Sequence, residues 1–291
     1  MTSPATARLL WSLGEPFHAL TYFAEEAGAA FAAAGLRGFW AGYFAGRAAP
    51  LGAVGPAVVT ATFVNFAPGF VARRVPGVWE QASPAAALDA RLAGVDAAVR
   101  RVLGEEWITS ADAVEARELA SSAAAAVDLP GRPLAAANSA LDGPGEPHLV
   151  LWQALTTLRE HRGDGHTVAL VQREVDGVQA HVLAVAAGRS DRAWLQKARG
   201  WDDAAWDGAA ARLADRGWLT GAEPDAELTA EGLAMVTAIE ADTDRLALGP
   251  WQALGAAGCD RLAELLRPVR RAVVTAGVWP ANNPIGVPDP D

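Results

Sequence analysis

Apolar residues recur at helical spacing through most of the chain. Between residues 147 and 161, Leu151, Leu155 and Leu158 fall on one face, which predicts a helix followed by a turn. Ser3 or Thr6, Ser83, Ser110 and Thr229 each precede such a run. They are expected as helix N-caps, because a short side-chain oxygen accepts from the first free N–H groups. Strand-like patterns are confined to two short stretches, after Gly77 and after Gly217. The stretch "WDDAAWDGAAARLADRGWLTGAEPDAELTAEG", residues 201–232, has the layout of a winged helix. A helix turns into a strand at Gly217-Trp218-Leu219, an acidic tip follows, and Leu228-Thr229 opens another helix.

Residues 48–72 carry no charge, a length that would span a bilayer. Pro50, Gly52, Gly55, Pro56, Pro68 and Gly69 interrupt the run, and Asn65 sits within it. A lipid-exposed helix so interrupted would leave backbone groups unpaired. The expectation is a helix buried on all sides within the protein, and no membrane partner.

The plan reads as written twice. Gly46-Arg47 and Gly188-Arg189, Trp79 and Trp218, and Gly104 and Gly249 recur in the same order. Each copy closes on a long helix and an Asn-bearing tail, around Asn138 and around Asn282. "DLPGRPLAAANSALDGPGEP", residues 128–147, is rich in Pro and Gly and reads as the join. The fold class expected is mainly α with short β wings, in two pseudo-repeated winged-helix-like halves, residues 1–145 and 146–291.

The residues "LADRGWL" and "ELTAEG" make the second half resemble MarR-type winged helices. The whole chain is similar to an actinobacterial tandem helix-turn-helix family, through "HALTYF", "GYFAGRAAPLG", "FVNFAP" and "LTTLREHRGDGH". That resemblance implies the fold and brings little settled function. MarR-type wings commonly carry an Asp-x-Arg whose Arg reaches the minor groove. Glu227 stands at the corresponding position here, a reversal of charge.

Charge narrows the function further. The 34 carboxylates exceed the 24 basic residues, giving a formal net charge of −10. The would-be recognition helix carries Asp202, Asp203, Asp207 and Asp215 against Arg212 and Arg216. A helix that reads DNA needs donors for base edges and cations for phosphates, so this composition argues against a DNA partner. The first copy's equivalent, "PAVVTATFVNFAPGFV", has no charge at all. A homodimer that assembles basic residues from elsewhere is left open.

The densest polar stretch is "REHRGDGH", read as a loop in which Gly163 and Gly165 turn the chain. His161, Asp164 and His166 are the candidate catalytic residues, able to orient a ligand or move protons, and Arg162 is the candidate partner of an anionic group. A helix cap locking the two copies together is the competing reading. A metal site from His161, Asp164 and His166, with His181 beside them, fits no helical ligand spacing and is set aside. His18 and Tyr22, four apart, share a helical face, as do Tyr43 and Arg47, and Asn65 lies among aromatic residues. His18, Tyr22, Tyr43 and Asn65 are therefore expected to line a pocket for a small aromatic or carboxylate-bearing molecule. No cofactor is specified.

The same pocket would suit an enzyme of specialised metabolism, a MarR-like ligand-responsive regulator, or, with an acidic outer face, an interaction scaffold. The single cysteine, Cys259, excludes an intramolecular disulfide and reads as a helical core position. Most of the 11 tryptophans are expected in the core; packing is preferred for Trp201 and Trp206, with exposure as the alternative. The N-terminus lacks a basic start followed by an apolar run, so a cytoplasmic location is expected.

Overall fold

The structure, a computed structural model, describes residues 1–280 and Val287. Every N-cap expected from sequence stands at a helix start. Ser83 Oγ accepts from Ala86 N, Ser110 Oγ from Ala113 N and Thr229 Oγ1 from Gly232 N, while the Ser3 N–H donates to Thr6 Oγ1. The helices in chain order are α1 (Pro4–His18), α2 (Leu20–Phe23), α3 (Glu25–Ala33) and α4 (Phe39–Ala48). They continue with α5 (Pro56–Thr62), α6 (Pro68–Ala72), α7 (Val78–Gln81), α8 (Pro84–Ile108), α9 (Ala111–Ala124) and α10 (Pro133–Ser139). The second part holds α11 (Pro147–Gln172), α12 (Gly177–Ala186), α13 (Arg192–Arg199), α14 (Asp203–Asp215), α15 (Ala230–Leu246) and α16 (Gly249–Thr275).

Three apolar clusters organise these helices. In the largest, helices from both ends of the chain meet: Leu10, Leu13 and Phe17 of α1 join Val95 of α8, Trp152 of α11 and Leu262 of α16. Cys259 belongs to it, with burial pushing its thiol up to about 11. The second is aromatic, with Phe44, Phe63, Phe66 and Phe70 in ring contact and Phe31 buried in the same cluster. The third joins α12 to α15 through Val182, Leu195, Trp206, Leu213, Trp218 and Ile239, the core of a helix-turn-helix unit. Trp206 is buried. Trp201 is half-buried and donates its indole N–H to Asn65 O at 3.0 Å, so both pack as preferred.

Five expectations are corrected. The wing after Gly217 is a single antiparallel bridge, Leu219 to Leu228. The wing after Gly77 does not form, because 78–81 are helical and Ser83-Pro84 starts α8 before a returning strand has any length. The uncharged run 48–72 is not one buried helix. Pro56 and Pro68 each open a new short helix, and Val58 remains 44% exposed. The supposed join contains α10.

The fifth correction matters most for function. "REHRGDGH" is not a loop, since α11 runs unbroken through it. Gly165 serves a close approach rather than a turn. A Cβ there would lie 2.5 Å from Arg132 Nη1, which donates to His161 O, while Arg132 Nη2 donates to Leu246 O. Asn282, expected to close the second half, lies outside the described residues. Among the described residues no helix is long and apolar enough to cross a membrane.

Candidate functional site: a buried charged cluster between α1, α4, α8 and α11

α1 is amphipathic, and its inward face carries polar residues where a core helix would carry leucines. Trp11, Glu15 and His18, at spacings of four and three, meet α11 there. Glu15 is 1% exposed and accepts from Trp11 Nε1 at 2.7 Å and from Arg159 Nε at 3.2 Å. Arg159 also reaches Glu160 Oε2 at 3.0 Å. Glu160, itself 1% exposed, takes a forked pair of 3.0 Å bonds from Arg47 Nε and Nη2 of α4. Burial alone would raise the Glu160 carboxyl. Arg159 and Arg47 outweigh it and hold it well below the usual carboxylate range.

Around this ion network stand hydroxyls and rings. Arg47 Nη1 donates to Tyr43 OH at 3.3 Å, and the Arg47 guanidinium lies 4.2 Å from the Phe63 ring centroid. Tyr43 and Tyr22 are 5.0 Å apart between ring centroids. Tyr22 OH lies 3.3 Å from His18 Nε2, and His18 Nδ1 lies 2.9 Å from Thr156 Oγ1. Trp152 stacks on the His18 ring and donates its indole N–H to His18 O. Burial, and next Arg159, hold the imidazole well below its ordinary value.

α8 supplies the cation that breaks the balance. Arg91 is 4% exposed, and its hydrogen-bond partners are neutral: Gly46 O, Asn138 Oδ1 and Gln153 Oε1. Among the described residues its Nε has no hydrogen-bond partner, and its guanidinium lies 5.0 Å from the Trp152 ring. Burial pulls it down to about 10, which leaves it charged at neutral pH. Arg47, Arg91 and Arg159 thus stand against Glu15 and Glu160, a buried surplus of positive charge. A desolvated cation with only neutral partners is costly unless something anionic joins it.

The sequence expectations divide in two. His18, Tyr22 and Tyr43 do converge, with Arg47. Asn65 is close by another route. Its carbonyl accepts from His181 Nε2 at 2.9 Å and from Trp201, which ties the aromatic turn to α12. Gly177 permits this contact, since a Cβ there would lie 1.8 Å from Val64 O.

His161, Asp164, His166 and Arg162 point to separate neighbours. His161 Nε2 donates to Asp128 Oδ1 at 2.6 Å. Asp164 Oδ2 accepts from Leu134 N and Ala135 N and caps α10. His166 Nδ1 donates to Thr243 Oγ1, whose own hydroxyl is given to Ile239 O. Arg162 pairs with Asp244 Oδ1 at 2.7 Å over the Trp11 ring. The reason is the continuous helix, which fans successive side chains around its axis where a loop would gather them. Among the described residues no group of His, Cys, Asp or Glu could hold a metal ion.

Glu15 and Arg91 were missed. A signal existed for Arg91: it lies between Ala87 and Val95 at spacings of four, a charge on the buried stripe of α8.

The helix-turn-helix itself is acidic outside. Asp202 caps α14, and Asp203, Asp207 and Asp215 face solvent beside Arg212. Arg192 bonds Asp203 and Asp207 at 3.0 and 2.8 Å. Glu223, Asp225 and Glu227 are exposed at the wing. A model described as a helix-turn-helix family matches residues 7–280. No curated protein and no solved structure matches the chain.

Proposed function

The chain belongs to this helix-turn-helix family, and from that premise we propose that it binds a small anionic aromatic molecule within its helical core. On this reading it does not grip DNA through its own α14. The ligand sits against Tyr22, Tyr43 and the Asn65 turn, and its charge is matched by Arg91 and Arg47. One observation carries the reading: Arg91 is a buried cation whose partners are all neutral. The aromatic lining suits a ring, and the acidic α14 face repels a polyanion.

A second reading is favoured by a specific contact. The Asn65 carbonyl bonded to His181 and Trp201, with Ala67 N bonded to Arg199 O, fastens the site to α12 and α13. A ligand-responsive regulator of MarR-like build would need such a connection, with its DNA contacts made by a surface other than α14. The duplicated plan of two halves, 1–145 and 146–291, is supported by two kinks of matching backbone angles. These are Gly104 (φ 78°, ψ 165°) in α8 and Gly255 (φ 80°, ψ 163°) in α16.

The test is thermal stabilisation by aromatic acids such as salicylate and 4-hydroxybenzoate. A ligand at a hundred times its Kd stabilises by about 2.7 kcal/mol, several degrees in Tm. The shift is expected in the wild type and lost in Arg91→Met. No stabilisation by any aromatic acid, together with a salt-dependent mobility shift on random duplex DNA, overturns the reading in favour of direct DNA binding.

A further inference from the structure

The two tyrosine hydroxyls of the site differ in where their hydrogens go. Tyr43 OH accepts from Arg47 Nη1 and keeps its own hydrogen for an outside partner. Tyr22 OH is committed. The Thr156 hydroxyl donates to Trp152 O at 2.8 Å, so it acts as acceptor in its 2.9 Å contact with His18 Nδ1. Nδ1 therefore carries the imidazole hydrogen, and Nε2 offers a lone pair to Tyr22 OH at 3.3 Å. The hydrogens all point one way, from Tyr22 through His18 and Thr156 to a main-chain carbonyl. At the outer end stands a phenol oxygen with free lone pairs, backed by an unprotonated imidazole.

Such a chain has no use for a carboxylate, which arrives ionised and needs only a cation. It has a use for a ligand that arrives protonated. Resting on the binding site proposed above and naming its ligand more closely, we infer that the site takes a weakly acidic hydroxyl compound, a phenol or an enol. It holds this compound as the anion, with the proton passed to the Tyr22–His18 pair. The ligand O–H bond breaks and its electron pair stays on the ligand oxygen. That proton joins the Tyr22 oxygen while the Tyr22 hydrogen moves to His18 Nε2, so total charge is unchanged and no other reactant is consumed.

The groups facing His18 fit both ends of this transfer. Burial, then Arg159 of α11, Arg47 of α4 and Arg91 of α8, keep the imidazole neutral; Glu160 of α11 opposes them and Tyr22 of α2 bonds it. A new oxyanion beside Tyr22 and Tyr43 cancels the arginine surplus. The same field that vacates His18 therefore stops opposing its protonation once the anion is present. Tyr43 OH, with its hydrogen still to give, is the donor left for that oxyanion.

The probe is 4-nitrophenol, whose anion absorbs visible light and whose neutral form does not. At a pH where the free probe is protonated, the wild-type complex is expected to show the phenolate band. Its calorimetric binding enthalpy should be the same in buffers of different ionisation heat, since the proton stays in the protein. Tyr22→Phe, checked for native Tm and far-ultraviolet dichroism, is expected to bind the probe at least ten-fold more weakly and without the phenolate band; His18→Gln should do the same. A probe bound as the neutral phenol, a proton released to buffer, or a phenolate band surviving in Tyr22→Phe overturns this inference and leaves the binding site standing. Binding of 4-nitrobenzoate alone, equally in wild type and Tyr22→Phe, does the same. Failure of both probes to bind overturns the site itself.

Discussion

The buried cluster between α1 and α11 and the outer face of α14 are both dense in charge, yet they constrain the molecule differently. On α14, Asp203 and Asp207 side chains are 83% and 60% exposed, and their pairs with Arg192 are of the kind worth about 0–1 kcal/mol. Water dissolves the meaning of those charges, apart from their sign. At Glu160, 1% exposed, water is absent and each charge must be answered by a named neighbour. The outer face says which partners are repelled. The inner one records a specific arrangement, and its single unanswered member, Arg91, becomes informative because its neighbours are all answered.

The sharpest way to break this contrast is to remove one member of each set. Glu160→Gln strands Arg47 without a counter-charge, leaves Arg159 only Glu15, and is expected to cost about 3–5 kcal/mol, read as a lower midpoint in urea unfolding. An unchanged midpoint would mean the inner network is as solvated as the outer. Acid should attack the interior next. His181 is held down to about 4 by burial, so between its unfolded value of 6.5 and 4 the unfolded chain binds more protons. Stability is then complete above pH 6.5 and falls as pH drops, by about 3 kcal/mol from this residue at most. A scan of Tm from pH 7.5 to 4.5 should show the loss, smaller in His181→Gln.

Asp164 runs the opposite way. Burial raises it to about 6, so its contribution is present below its unfolded value of 3.8 and is lost as pH rises through 6. Asp164→Asn keeps an oxygen for Leu134 N and Ala135 N and should gain on the order of 1 kcal/mol at pH 8 and nothing at pH 4. Equal effects at both pH values would show that its charge is not buried. The smallest effect belongs to the surface. Asp203→Asn with Asp207→Asn should change stability by less than about 0.5 kcal/mol, and a larger loss would give the outer face a structural part.

What the sequence disclosed follows from the range of the forces involved. Caps at Ser83, Ser110 and Thr229 were legible because capping is a contact three residues long. The helix-turn-helix core and the convergence of His18, Tyr22, Tyr43 and Arg47 were legible from four-residue spacing. "REHRGDGH" was misread because two glycines within three residues are a strong local signal for a turn. The reason they sit in a helix is distant: Arg132 must pass Gly165 to reach the carbonyls of His161 and Leu246. The first wing failed for a topological reason, the early start of α8. Arg91 was hidden because its partners come from α4, α10 and α11, and no short window contains them.

Cys259 has a practical bearing. With the residue 1% exposed, its thiol raised to about 11 and its contact made to Trp251 O, it offers maleimide chemistry almost no thiolate near pH 7. A cysteine introduced at exposed Ala211 on α14 would then carry a fluorophore without removing the native one. Energy transfer from that dye to a coloured ligand in the helical interior would give the separation between the acidic exterior and the cationic heart of the molecule, in solution and in an otherwise unaltered chain.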